Sequence, residues 1–235
     1  MERGPPMPML AAEKRKKEQE EQKALRMREI VECSFGLFAE QGIESITMNE
    51  IARQAEIGVA SLYRYFTTKE ELVIEAAIYA WKMEVEIFNR VFSFGEYESM
   101  DGYTQLRSLL EIFSEALVTQ NPFFRFIYYF DAYAKKEKLS QSSLKKYESE
   151  ISDVKDIVVR SIEKGRRDGS ITFGKGKNTV LMDSNNDELY FTIMHSLFSL
   201  CQKLSLSSEM LEMDLAVKPD KQISLLIEII LSALK

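Results

Sequence analysis

The chain has one histidine and two cysteines, Cys33 and Cys201, in 235 residues. One imidazole and two thiols far apart in sequence do not make a four-ligand zinc set, so no metal and no cofactor is expected. Both cysteines fall inside apolar helical patterns, which suits free thiols in a reducing cytoplasm and argues against a disulfide scaffold. Chemistry is equally scarce. There is no second imidazole, no glycine-rich phosphate loop and no nucleophile-elbow serine, so the chain is not expected to be an enzyme. A dyad of Cys33 and His195 would require a thiol in an apolar core to become reactive. Charges interrupt every hydrophobic run well before membrane-spanning length, so no membrane partner is expected. The opening residues, MERGPPMPML, lack the basic start and apolar core of a secretory signal, and a cytoplasmic protein is the expectation.

A basic excess is also missing, since the formal charge is −6. Its distribution matters more than its sum. Met1 to Lys69 carries eleven Lys and Arg against eleven Asp and Glu, so the acidic excess belongs entirely to the remainder. A neutral segment can still grip phosphates where a few cations and backbone N–H groups converge, with a shallower salt dependence than a strongly basic domain.

What is present is a 45% hydrophobic chain, enough for one large or two modest domains. Its most informative stretch is Thr47 to Glu71. Thr47 followed by Glu50 spells a capping box, so a helix begins at Met48 with Met48, Ile51, Ala52 and Ala55 on its inner face. Asn49 and Arg53 are left outside. The pattern breaks at Glu56-Ile57-Gly58, and Gly58 can cap a second short helix from Val59 to Phe66. Leu62 and Phe66, four apart, point inward above Ile57. Val59, Ala60, Ser61, Tyr63, Arg64 and Tyr65 remain largely free. Thr68 and Glu71 spell another capping box, which puts Lys69 in the first turn of the next helix, where an arriving anion would relieve its clash with the helix dipole.

Two short helices joined by a tight turn, the second small-faced, aromatic and Arg-bearing, form the helix-turn-helix that lays a recognition helix in the major groove. Thr47, Ile51-Ala52, Ala55, the run Leu62 to Phe66, and Lys69 to Leu72 after two threonines resemble the DNA-binding domain of the TetR (tetracycline-repressor) family. The resemblance covers about Ile30 to Ala76. It implies an all-α homodimer that binds double-stranded operator DNA, most commonly a repressor released by a small-molecule inducer. By the same resemblance Thr47, Ser61, Tyr65 and Lys69 would hold phosphates, and Val59, Ala60, Tyr63 and Arg64 would lie nearest the bases, with Asn49 a weaker candidate. The family usually has glycine where this chain has Glu56, so a non-glycine residue is expected in a left-handed turn position.

Residues 1–24 read as a charged extension, 25–72 as the DNA-binding domain and 73–235 as a helical ligand-binding and dimerisation domain. Ala11 to Arg28 pairs Lys14 with Glu18, Lys16 with Glu20 and Lys17 with Glu21. It is either a solvated extension of the next helix or a basic arm that touches DNA. From Ile30 an amphipathic helix runs to a glycine cap at Gly42. Beyond Leu72 the periodicity predicts a helix over 73–94, a loop between Phe94-Gly95 and Asp101-Gly102, and a stripe from Leu106 to Leu117. An aromatic helix follows Asn121-Pro122, then a long helix over 139–168 ending at Gly165 and Gly169. Residues 171–186 read as a surface loop, with Thr179 to Met182 able to extend.

Trp81, Phe113, Phe126, Tyr129, Tyr147 and His195 are the candidate lining of a pocket for an apolar or aromatic inducer. The stripe Leu189, Ile193, Leu197, Leu200 and Leu204, and the nearly all-round apolar terminal helix, predict a four-helix dimer seam through residues 187–206 and 220–234. The alternatives are a small-molecule-binding protein with a vestigial helix-turn-helix and, less favoured, a helical enzyme.

Overall fold

The computed structural model describes residues 7–91, 94–119, 121–174, 179–206 and 216–235, and every element among them is a helix. In chain order these are α1 (Met7–Gln41), α2 (Met48–Gln54), α3 (Val59–Tyr65), α4 (Lys69–Val91), α5 (Phe94–Ser99) and α6 (Gly102–Thr119). Then come α7 (Asn121–Glu137), α8 (Gln141–Asp168), α9 (Thr179–Asp183), α10 (Asn186–Leu206) and α11 (Pro219–Leu234). No described helix is long and apolar enough to cross a membrane.

α1 joins a solvated half to a buried half without a break. The three Lys–Glu pairs expected in the first half are present at 3.8–3.9 Å, all strongly exposed and therefore worth only tenths of a kcal/mol each. The second half buries Ile30, Phe38 and Ala39 completely. Gly42 ends it with φ 82° and donates its N–H to the Phe38 carbonyl at 2.9 Å, the left-handed cap that glycine adopts without a Cβ clash.

α1 is the floor of the first three-helix unit and also leans on α4 and α7. Phe126 of α7 meets Phe35 at 5.3 Å and Phe38 at 6.4 Å, and Tyr129 lies against Gly42. The aromatic helix α7 therefore bonds the two halves of the molecule together through its rings. Farther along, α6 crosses α8 where a Cβ on Gly102 would fall 2.0 Å from the Gly165 backbone nitrogen. Only bare backbone fits there.

Five expectations are corrected. The loop foreseen after Phe94 contains the short helix α5, and Thr179 to Met182 is helical rather than extended. Gly165 lies inside α8 at the α6 crossing, while Gly169 alone, with φ 76°, ends the helix. Residues 171–174 are not loose surface, because Ile171 and Phe173 are buried and the N–H groups of Thr172 and Phe173 donate to the Leu234 carbonyl. Finally, Leu189, Ile193, Leu197 and Leu204, with Ile223, Ile227, Leu231 and Leu234, are core of their own subunit. What α11 leaves uncovered is the flanking row, Leu225 at 48% and Ile229 at 66% exposed, beside half-buried Leu226 and Ile230.

Candidate nucleic-acid interface and ligand cleft

α2 starts where its cap dictates. The Thr47 N–H donates to Glu50 Oε2 at 2.7 Å and the Glu50 N–H donates to Thr47 Oγ1 at 3.3 Å, closing the box in both directions. These bonds from Thr47, backbone first, hold the Glu50 carboxyl below its ordinary range. The helix ends in a Schellman turn: Ile57 N–H reaches the Ala52 carbonyl at 2.9 Å and Glu56 N–H the Arg53 carbonyl at 3.2 Å. Glu56 occupies the left-handed position with φ 52°, as the turn demands and as glycine would do more cheaply. Arg26 of α1 holds the turn from below, donating from Nη2 to the Ala55 carbonyl at 2.9 Å.

Substituting Glu56 with glycine is accordingly expected to stabilise the fold. Relief of about 1–2 kcal/mol of left-handed strain exceeds the roughly 0.5–1 kcal/mol entropic cost of glycine. The net gain of about 0.5–1 kcal/mol should raise the thermal midpoint by roughly 1–4 °C in a differential scanning experiment. A lowered midpoint would show that Glu56 makes a compensating interaction.

α3 is capped by Gly58, whose carbonyl accepts from the N–H groups of Ser61 at 2.8 Å and Leu62 at 3.0 Å. Leu62 and Phe66 are fully buried, with half-buried Ile57 packed on the same core. The opposite face is open. Val59 is 37% and Tyr63 49% exposed, and Ala60 and Arg64 are exposed beside them. Arg64 donates from Nη2 to Ser61 Oγ at 2.9 Å, so two candidate contacts hold each other on one edge of the helix. Tyr65 is half-buried against the core, whereas Thr47 and Asn49 are exposed at the start of α2.

Two details of the third cap differ from expectation. The Glu71 N–H does donate to Thr68 Oγ1 at 3.1 Å, but the Glu71 carboxylate accepts from the Thr67 N–H at 2.8 Å rather than from Thr68. Lys69 turns back and donates its ammonium to the Ile43 carbonyl just past the end of α1. Partial burial there lowers its pKa, against the pull of Glu44, Glu137 and Glu50.

The second half contains a cleft of about 270 Å³ between α4, α7, α8 and α10. It brings together three of the six residues proposed from sequence, Trp81, Tyr147 and His195. The indole N–H of Trp81 donates to the Tyr147 hydroxyl at 3.1 Å, and burial pushes that phenol well above its ordinary pKa. Phe126 and Tyr129 do not line the cleft; they pack on α1, because α7 turns that side of its aromatic surface to the first unit. The Phe113 side chain lies outside the described residues.

Sequence reasoning missed Asp131, Tyr190, Phe191 and Phe198, which complete the cleft. Asp131 has a detectable signal, a carboxylate directly after the aromatic run; it keeps solvent access at the rim, yet surrounding protein raises its carboxyl pKa. Behind Trp81 lies a smaller cavity of about 50 Å³ lined by Glu84, Val85, Leu109, Ile112, Val154, Ile157 and Val158.

The family model for bacterial regulatory proteins of the tetR family matches residues 30–76, from the last third of α1 through α2 and α3 to the first turns of α4. An HTH-type transcriptional regulator of Staphylococcus aureus strain USA300 is 39% identical over 59 residues, 25% of this chain. The match spans 30% of that relative's length. Among solved structures, a TetR transcription regulator from Haloarcula marismortui superposes with TM-score 0.63 at 14% identity, over 90% of this chain and 97% of the other. A transcriptional regulator from Saccharomonospora viridis in complex with choline gives 0.61 at 18% identity, over 87% and 96%. A FadR repressor from Thermus thermophilus in complex with lauroyl-CoA gives 0.55 at 12%, over 89% and 95%. At these identities the structural likeness speaks for the fold, which extends over nearly the whole chain.

Proposed function

We propose that this chain, whose residues 30–76 belong to the tetR family of bacterial regulatory proteins, is a homodimeric repressor that leaves operator DNA when a small molecule fills the Trp81 cleft. The observation that carries the DNA half of this reading is α3 itself. A seven-residue helix that, with its C-cap Phe66, buries Leu62 and Phe66 completely while offering Val59, Ala60, Tyr63 and Arg64 to solvent is built to touch something outside the fold. Val59 and Ala60 are small enough to let the backbone approach base edges. On meeting a guanine Arg64 would release Ser61 and pair with the base in two places, worth about 1–3 kcal/mol. Thr47, Ser61, Tyr65 and Lys69 then serve the phosphates, with Asn49 at the margin.

The dimer half rests on α11. Exposed Leu225 and Ile229, with half-buried Leu226 and Ile230, form an apolar row on α11 that their own subunit covers only in part. A second copy related by a two-fold axis would bury it and set two recognition helices side by side.

Ligand coupling follows from which helices wall the cleft. α4 starts beside the recognition helix and reaches Trp81 twelve residues later, about 18 Å along its axis. α7 carries Ile127 and Asp131 into the cleft and Phe126 into the α1 packing. A ligand that repositions either helix therefore shifts the first unit, and the paired recognition helices no longer fit one DNA face. The relatives' ligands, choline and lauroyl-CoA, differ too much in chemistry to fix this one.

The test is direct. Purified protein should retard DNA from upstream of its own coding sequence at about 10 nanomolar or below, the range of specific operators. Retardation no stronger than that of an unrelated fragment would refute the reading.

A further inference from the structure

Glu84 is a carboxylate where the packing calls for an apolar side chain. It follows Trp81 by three residues on α4, and the other described residues around it are the indole and six aliphatic groups from α4, α6 and α8. Its Oε1 is buried without a hydrogen-bond partner. Desolvation alone pushes its carboxyl up to about 7. Buried polar groups are nearly always satisfied, so an orphaned carboxylate in an apolar cavity points to a partner that comes from outside.

The charge of that partner follows from what surrounds the two cavities that share Trp81. Neither has a Lys or Arg among its described lining residues; the sole basic group is the His195 imidazole. Three cations on the same helices are already engaged. Lys82 pairs with Glu150 at 3.2 Å, Lys155 with Asp187 at 3.0 Å, and Arg107 with Glu228 at 2.7 Å. On the cleft side of Trp81, Asp131 adds a second carboxylate beside Tyr147, Tyr190, Phe191 and Phe198. Aromatic faces attract organic cations and offer nothing to anions, tryptophan most strongly. An anionic ligand would find no Lys or Arg among these described walls, and a neutral apolar one would leave Glu84 as it is.

Resting on the reading of this region as the inducer site, we propose that its ligand is an organic cation whose compact ammonium head is held between the Trp81 ring and the Glu84 carboxylate. Asp131 supplies the second negative charge on the cleft side of the same ring. The apolar remainder of the ligand packs on the aliphatic and aromatic walls. The small volume around Glu84 limits the head to a few heavy atoms and excludes a bulky polyaromatic cation from that end.

Trp81 is the chain's one tryptophan, so its emission reports on this site alone. The full chain is titrated with benzyltrimethylammonium, phenylacetate and benzyl alcohol, three small probes that share a ring and differ in charge. The cation should change Trp81 emission saturably and bind at least tenfold more tightly than either other probe. Glu84→Gln, which keeps the shape and loses the charge, should weaken the cation at least tenfold and leave benzyl alcohol unchanged. Equal binding of phenylacetate, no saturable response to the cation, or full affinity in Glu84→Gln overturns the inference. The wild-type comparison decides even if the variant does not fold. Operator retardation in the same preparation separates the two readings: a protein that binds DNA but shows no preference for the cation sinks this inference and leaves the regulator standing. One that prefers the cation but ignores DNA does the reverse.

Discussion

Replacing Arg64 and Tyr65 together with alanine lowers affinity for operator DNA by two or more orders of magnitude and leaves the fold intact. Arg64 is exposed and donates a hydrogen bond to Ser61, and Tyr65 is only half-buried, so neither truncation opens the Leu62 and Phe66 core. The loss is therefore read in binding. A bidentate arginine–guanine contact contributes about 1–3 kcal/mol, and a symmetric dimer loses it twice, for about 2–6 kcal/mol in all. At 1.4 kcal/mol per factor of ten that is roughly 30-fold to 10⁴-fold before Tyr65 is counted. Mobility-shift titration measures the loss, and an unchanged circular dichroism melt shows that the helices survive. Affinity within threefold of wild type would remove α3 from the interface. A graded loss confined to low salt would demote Arg64 from base contact to phosphate contact.

If the proposed dimer forms through α11, replacing Leu225 and Ile229 with glutamate converts it from a pair of 27.2 kDa chains to monomers. On an isolated chain both positions are about half exposed or more, where polar substitutions are usually worth within about 0.5 kcal/mol. Across a two-fold seam the same changes place four carboxylates against one another in an apolar patch. An uncompensated buried charge costs about 3–5 kcal/mol, and like charges in juxtaposition add to it, which exceeds what a modest interface retains. Sedimentation velocity should report the monomer mass at micromolar concentration, and operator affinity should fall with it because one recognition helix loses its mate. A dimer of unchanged mass would move the seam elsewhere, even if DNA binding persisted.

Local chemistry made the helix-turn-helix legible. Thr47 and Glu50 three apart, Gly58 at a break in the pattern, and Leu62 with Phe66 four apart each act over one turn, so the residues alone say where α2 and α3 start and which side is inward. Glu56 in the left-handed position was expected from the family resemblance, which has glycine there, rather than from the local residues. Contacts made over long sequence distances were not. Arg26 reaches the Ala55 carbonyl 29 residues away, and nothing local marks it out. Phe126 belonged to an aromatic run with no polar side, so periodicity could not say whether its ring met a ligand or α1. Stripes on α10 and α11 were found correctly as apolar, but a stripe does not state whether its own subunit or a second one covers it. The uncovered row turned out to be Leu225 and Ile229 on the flank. Glu84, like Asp131, was a detectable omission: a carboxylate three residues after Trp81 interrupts an apolar face, and a buried carboxyl with a perturbed pKa is a candidate site residue.

The central claim is that two copies of α3, held by a symmetric pair of subunits, read DNA together. Selection of bound sequences from a pool of random duplexes by the full-length protein tests it most directly. The account predicts an enriched inverted repeat whose half-sites lie about one helical turn apart, 10–10.5 base pairs or a multiple, centre to centre. A pool that shows no enriched sequence, or a single unrepeated site bound by one subunit, would contradict it.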